Sequence, residues 1–273
     1  MREELWQLSA SQVLPRLRNG DVSAVEYITS LVQRVEQRDK AVKAWVGFDS
    51  KVALEQAKQL DALPDTESGP LHGLPIGVKD VILTKDMPTQ YNSPLFESHT
   101  PIGTDANAIA SLRSAGKYSQ SAWVLNVTDR LISGAIIFGK TATTEFATSK
   151  QGNIHQNLTA NPHDPRRTPG GSSSGSGAAV GDYQIPVALG TQTGGSIIRP
   201  ASFNGCYGLK YDITWMNCIV YTTDIFLRYC KTDFWRNLKG RRCALERIIR
   251  HARVLHSLSR RLGCTARCLP HPR

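Results

Sequence analysis

Apolar residues recur at helical intervals through the opening forty or so positions, where two amphipathic helices are expected. In the second, Val25, Ile28, Leu31, Val32 and Val35 line one side above a polar face that ends in Arg38 and Asp39. Ser23 and Glu26 stand at capping-box spacing, which marks the start of that helix. The same periodicity predicts a third helix over residues 50–62, SKVALEQAKQLDA, with Asp49 or Ser50 as its cap. A polar loop bearing Pro64 and Pro70 leads out of it into LHGLPIGVKDVIL, where the pattern changes. There Ile76, Val78, Val81 and Ile82 are strand formers, so Lys79 and Asp80 are charges set inside an apolar β run. A lysine in that position is paired, depressed in pKa, or turned to solvent.

Downstream, residues 88–104 (PTQYNSPLFESHTPIGT) read as an irregular surface loop. A helix over 105–115 buries Ile109 and Leu112 and stops at Gly116, a natural C-cap. A strand over 135–138 then leads into GKTATTEFA. Between that helix and strand lies KYSQSAWVLNVTDRLISG, residues 117–134, which fits neither and reads as an inserted hairpin or loop. After Phe146 the chain turns polar and approaches two glycine-serine runs that bracket a short apolar segment. A helix of small residues is expected to begin within SSSGSGAAV, with its N-terminal amides near the serines. Beyond Lys210 the one usable pattern is a basic amphipathic helix through Leu245, Ile248, Ile249, Val254 and Leu258.

Composition changes the picture at one place. With 40% hydrophobic and 21% charged residues in a chain of 273, the whole is ordinary for a globular protein with length enough for a core. The net charge of +10 would point to nucleic acid, but it is unevenly placed. Residues 211–273 hold 13 Lys+Arg and 4 Asp+Glu, against 20 and 19 in residues 1–210. Five of the six cysteines also lie after Lys210. Two compositions therefore meet near that residue, giving a domain over 1–210 and a basic, cysteine-containing tail over 211–273. Cys264, Cys268 and His271 make a C-x3-C-x2-H with no fourth ligand at useful spacing, a weak zinc pattern, so neither a metal nor a cofactor is implied. No run of 18 apolar residues occurs and MREELWQLSA carries no apolar core, so neither a membrane span nor a signal peptide is expected, and the default location is cytoplasmic.

The glycine-serine runs carry the candidate chemistry. Gly170 and Gly171 precede Ser172, Ser173 and Ser174, while Gly194 and Gly195 precede Ser196. Paired glycines beside a hydroxyl suit a backbone that turns sharply and approaches a ligand closely. A flexible linker is the plain alternative, but each run adjoins an apolar segment that can be buried. A phosphate cradle fails because GxxxxGK[ST] is absent and no lysine closely follows either run. Serine needs a base to become a nucleophile, and none of His72, His99, His155 or His163 forms a compact motif with either run. The Ser-Lys arrangement remains, with Lys79 neutral before attack. The backbone N–H groups around Thr193, Gly194, Gly195 and Ser196 could then form an oxyanion hole.

GVKD at 77–80, GGSSSGSGAA at 170–179 and GTQTGGSIIRPASFNGCYGLK at 190–210 resemble the three signature blocks of the amidase signature family. DVSAVEY, LHGLPIGVKD and GKTATTEFA extend the resemblance over roughly residues 5–210. It implies an α/β fold, a mixed β-sheet flanked by helices and incomplete at the C-terminus. It also implies hydrolysis of a small-molecule amide through an acyl-enzyme. Lys79 corresponds to the family's catalytic lysine, Ser172 to a bridging serine on a cis peptide bond, and Ser196 to the nucleophile. Thr193, Gly194, Gly195 and Ser196 correspond to the oxyanion-hole backbone, Arg199 to an arginine supporting that loop, and Ser173 to a hydrogen-bond partner of the relay. Gln192 replaces the aspartate of many members, and Ile197 and Ile198 precede Arg199; both features look like the fungal branch.

Residues 117–134 depart from the family pattern, and the likeness stops at Lys210, as an in-frame retained segment and a shifted or read-through frame would produce. On that reading the tail's charge has no functional meaning. The competing reading is a non-catalytic, amidase-like remnant whose basic tail binds a partner.

Overall fold

A computed structural model describes residues 4–64, 69–114, 134–148, 158–209 and 219–222. The residues 117–133, the basic helix beyond 240 and the Cys264, Cys268 and His271 group lie outside these.

Both opening helices form, α1 over Ala10–Arg18 and α2 over Ala24–Val42. The Ser23 capping box is made: its hydroxyl accepts from Glu26 N–H, and the Glu26 carboxylate accepts from Ser23 N–H at 2.9 Å. Ile28, Leu31, Val32 and Val35 are buried, as the periodicity predicts, and so is Tyr27, whereas Val25 is half-buried at the edge of the stripe. Its polar face is not purely solvated. Arg34 and Arg38 converge on the buried carboxylate of Asp182 at 3.3 and 3.0 Å, and Asp39 accepts from Ala44 N–H at 2.7 Å. Strand β1 (Trp45–Phe48) follows, then α3 (Ser50–Asp61), whose Asp49 cap accepts from Lys51 and Val52 N–H.

Strand β2 is Pro75–Lys79, shorter than the apolar run suggested. Val81 and Ile82 instead donate their N–H groups to Lys79 O at 2.8 and 2.9 Å, so the chain turns as soon as the strand ends. Residues 88–104 are irregular apart from a single 3-10 turn at Pro94–Phe96. Helix α4 (Asn107–Ser114) buries Ile109 and Leu112. Strand β3 (Ile136–Thr141) runs three residues further than predicted and carries Lys140 into the interior. The small-residue helix is α5 (Ser174–Gly181), β4 is Val187–Gly190, and α6 covers Ile198–Asn204. Helix α6 escaped the periodicity because it is short, yet its signals were present: Pro200 in the first turn and Gly205 at the left-handed C-cap, φ 69°.

The strands join in one six-stranded mixed sheet, ordered β1-β3-β2-β4-β6-β5. β2 lies parallel to both β3 and β4, while β1 runs antiparallel to β3. β5 (Tyr207–Leu209) and β6 (Ile219–Thr222) form an antiparallel pair whose β6 borders β4. β6 lies beyond the Lys210 boundary, where the sequence pattern placed no strand; four β-branched and aromatic residues pair because β4 and β5 offer them two edges. The core gathers α2, β2, β3, α5 and β4 into one apolar cluster.

Helix α5 sits unusually close to its neighbours, which explains its glycines. A Cβ at Gly175 would lie 2.3 Å from Ala142 N and Ala44 O, and one at Gly181 would lie 2.3 Å from Asn204 O. Any side chain there would push the helix off the ends of β1 and β3 or off α6. This packing sets the first serine run against the C-terminal ends of the parallel strands, where open α/β sheets commonly hold ligands.

Candidate active site

Register decides which way the two interior lysines face. In the β2/β3 pair, Val78 stands opposite Lys140 and Lys79 opposite Thr141. Successive residues of a strand face opposite sides, so Lys79 and Thr141 share the side covered by α5, and Lys140 belongs to the other. The contacts agree: Thr141 Oγ1 meets Ser176 Oγ of α5 at 2.7 Å.

Lys79 is fully buried, which removes the solvent-facing alternative left open by its local pattern. Its ammonium nitrogen donates to Ser172 Oγ at 2.7 Å and to Thr191 Oγ1 at 2.8 Å. Both partners are neutral hydroxyls, and burial without a counter-charge lowers its pKa from 10.5 to about 7. A substantial share of the amine is therefore uncharged at neutral pH. Thr191 was missed by sequence reasoning. Its position, first after β4 and five residues before Ser196, was the available signal, since it follows a parallel strand adjoining β2.

The Gly171–Ser172 peptide is cis, and Ser172 is 1% exposed. Its carbonyl accepts from Thr144 N–H at 3.0 Å, tying the first serine run to the segment after β3. Ser173 links the two runs. Its N–H donates to Ser196 O at 3.2 Å, and its hydroxyl donates to Thr191 O at 3.2 Å and accepts from Thr191 N–H at 3.3 Å. Ser196 is half-buried in the turn that enters α6, beside Thr193 and Gly194, which are exposed, and Gly195.

Two features shape that turn. Gln192 Oε1 accepts from Ile197 N–H at 2.9 Å and Ile198 N–H at 3.0 Å, closing the loop with a neutral amide where a carboxylate would add charge. Gly195 has φ +113°, a value side chains avoid, and a Cβ built there would lie 3.3 Å from Arg199 Nε. Arg199 is itself exposed, with its guanidinium against the loop, and its N–H donates to Gly195 O at 3.0 Å. The sequence-derived residues thus converge from β2, the first serine run and the β4–α6 loop. No group of three metal-ligating side chains occurs among the described residues.

Mixed sheet, flanking helices and a lysine–serine pair at the strand ends define an α/β protein with the architecture of solved amidases. A family model described as Amidase matches residues 26–120 and 126–213, and the chain belongs to that family. The match breaks at 121–125 but covers the rest of the stretch 117–134 that the sequence pattern sets apart, and it ends at 213, just past Lys210. A glutamyl-tRNA(Gln) amidotransferase subunit from Natranaerobius thermophilus is 39% identical over 210 residues, 76% of this chain and 39% of that protein. Native peptide amidase from Stenotrophomonas maltophilia is similar in structure, with a TM-score of 0.61 and 28% identity over 73% of this chain and 39% of its own. Fatty acid amide hydrolase gives a TM-score of 0.62 and 27% identity, covering 77% of this chain and 35% of its own. The chain spans about two fifths of the length of the curated relatives it matches. Among the described residues no helix is long and apolar enough to cross a membrane.

Proposed function

We infer that this chain carries the nucleophile, bridging serine and base of an amide hydrolase acting on linear carbon–nitrogen amide bonds. The observation that carries the reading is the 2.7 Å hydrogen bond between Ser172 Oγ and a fully buried Lys79 whose pKa has fallen to about 7. A lysine in that state accepts a proton at neutral pH, which an ordinary lysine does not.

In the acylation step Ser196 Oγ attacks the amide carbonyl carbon. Its proton passes to Ser172 Oγ as the Ser172 proton passes to neutral Lys79 Nζ. The carbonyl π electrons move to oxygen, and the backbone N–H groups of Thr193, Gly194, Gly195 and Ser196 stabilise that oxyanion. Collapse breaks the carbon–nitrogen bond. The relay runs in reverse, giving the amine its proton and leaving an ester on Ser196. Water then attacks the ester with Lys79 again as base, releasing the acid and restoring the serine. Ser173 holds the two serine runs in register through its three contacts, and Arg199 backs the tight turn at Gly195.

A serine-directed fluorophosphonate tests this reading on the full chain. Wild-type protein should be labelled at Ser196, and Ser196→Ala should abolish the adduct. Folded wild-type protein that takes no label would favour the non-catalytic remnant instead.

A further inference from the structure

Lys140 is a second interior lysine that the relay does not use. It is 1% exposed, as is Asp80, and the two face each other at 3.8 Å, too far for a hydrogen bond. Its hydrogen bonds go elsewhere. Lys140 Nζ donates to Ile82 O at 2.6 Å and to Thr89 Oγ1 at 2.7 Å, so it closes the base of the excursion that leaves the sheet after Lys79 and returns at Thr89. Asp80 receives the returning chain: its carboxylate accepts from Gln90 N–H at 3.1 Å and Asn92 N–H at 3.4 Å, and its carbonyl from Tyr91 N–H at 3.1 Å.

The clasp then extends to the other side of the site. Asn92 Nδ2 donates to Thr143 O at 2.7 Å, Ser93 Oγ donates to Glu145 Oε1 at 2.8 Å, and Phe146 N–H donates to Tyr91 O at 3.0 Å. The same segment supplies Thr144 N–H to Ser172 O. Hydrogen bonds, joined by short steps along the backbone, lead from Lys140 and Asp80 to the strand end that carries Lys79 and to the turn that carries Ser172. Backbone strain collects on this path. Tyr91, Asn92 and Phe146, three of the six non-glycine residues with positive φ among the described residues, lie on it, at 49–55°, and Ala147 adjoins it at 58°. Residues in that region stay there only where their surroundings over-determine them.

We propose that Lys140 and Asp80 are positioning residues that hold Lys79 and Ser172 at hydrogen-bonding distance, acting through the 89–93 and 143–146 segments. Neither touches the reacting atoms. The inference rests on the relay proposed above and deepens it.

Fluorophosphonate labelling of the full chain, separated into a maximal rate (kinact) and a probe affinity (KI), tests it in Lys140→Met and in the double variant Lys140→Met, Asp80→Asn. The double variant leaves no uncompensated buried charge, so it guards against simple unfolding of the single one. Thr89→Val, which keeps both charges and removes one Lys140 partner, gives a third and milder perturbation. Misplacing a catalytic group by about 1 Å costs on the order of 10²-fold, so kinact should fall about 10- to 100-fold in the Lys140 variants, and less in Thr89→Val. KI and the fraction of sites finally labelled should stay at wild-type values, whereas partial unfolding would lower that fraction. Folded variants with wild-type kinact, or with an altered KI alone, overturn the positioning role. Wild-type protein that takes no label at Ser196 removes the relay itself, and with it this inference.

Discussion

Lys79 and Lys140 lie one register step apart on adjacent parallel strands, both are buried, and the sheet gives them opposite sides. On the α5 side Lys79 meets two hydroxyls and no carboxylate; burial alone drives its pKa to about 7. On the other side Lys140 meets a backbone carbonyl, a hydroxyl and the Asp80 carboxylate. Burial lowers its pKa too, to about 8, with Asp80 opposing the shift. The difference teaches that desolvation by itself does not set a buried lysine's role. What distinguishes Lys79 is that no carboxylate opposes its desolvation, as Asp80 does at 3.8 Å from Lys140, and that one of its hydrogen-bond partners is the Ser172 hydroxyl. Lys140 has the better electrostatic compensation and the partners of a structural clasp.

Replacing each lysine by methionine should separate these roles. Lys79→Met is expected to give the larger kinetic effect, slowing Ser196 labelling by about 10²- to 10⁴-fold because it removes the proposed base. The wild-type labelling rate should rise with pH through about 7, as Lys79 loses its proton, and level off above it. A pH-independent rate, or unchanged labelling in Lys79→Met, would remove Lys79 from the chemistry.

The stability effects should run the other way. Lys140→Met strands the Asp80 carboxylate in the interior, and breaking a buried pair in this manner costs about 3–5 kcal/mol, readable as a lower urea midpoint at pH 7. Lys79→Met strands no charge. Its amine has a lower pKa folded than its ordinary 10.5, so between about 7 and 10.5 the unfolded chain binds the extra proton and wild-type stability rises with pH. That slope is at most about 1.4 kcal/mol per pH unit. Lys79→Met should abolish it, making the variant more stable than wild type at pH 6 and bringing the two closer by pH 10. A parallel pH dependence in both proteins would show that Lys79 is not desolvated.

The smallest effect is expected at Thr191. Thr191→Val removes one of the two hydroxyls on Lys79 and should cost about 1 kcal/mol of stability, with labelling slowed by less than tenfold. A loss as large as that of Lys79→Met would mean that Thr191, rather than Ser172, is the principal partner of the lysine.

Much of the architecture was legible along the chain. α2 carried both its apolar stripe and its capping box, α3 its Asp49 cap, and α5 its run of small residues, because each is specified by contacts within a few positions. What failed was non-local. Residues 81 and 82 looked like strand but turn back on Lys79 O, and β6 lies past the apparent break in composition because β4 and β5 offer it partners. The polar face of α2 gave no sign of its partner, yet Arg34 closes over Asp182, a residue 148 positions away.

For the site, the sequence alone determined which groups are available: two hydroxyl-bearing glycine runs, a lysine inside an apolar strand, and signature blocks whose spacing relates them to a family. It could not determine burial, which depends on what packs above a residue rather than on its neighbours in the chain. Ser172 lies 93 positions from Lys79, and only parallel pairing of β2 with β4 and the close seating of α5 bring the two together. The same folding decided that one interior lysine meets hydroxyls while the other meets a carboxylate. Desolvation and counter-charge, the two quantities that set a lysine's proton affinity, are properties of the packed three-dimensional surroundings.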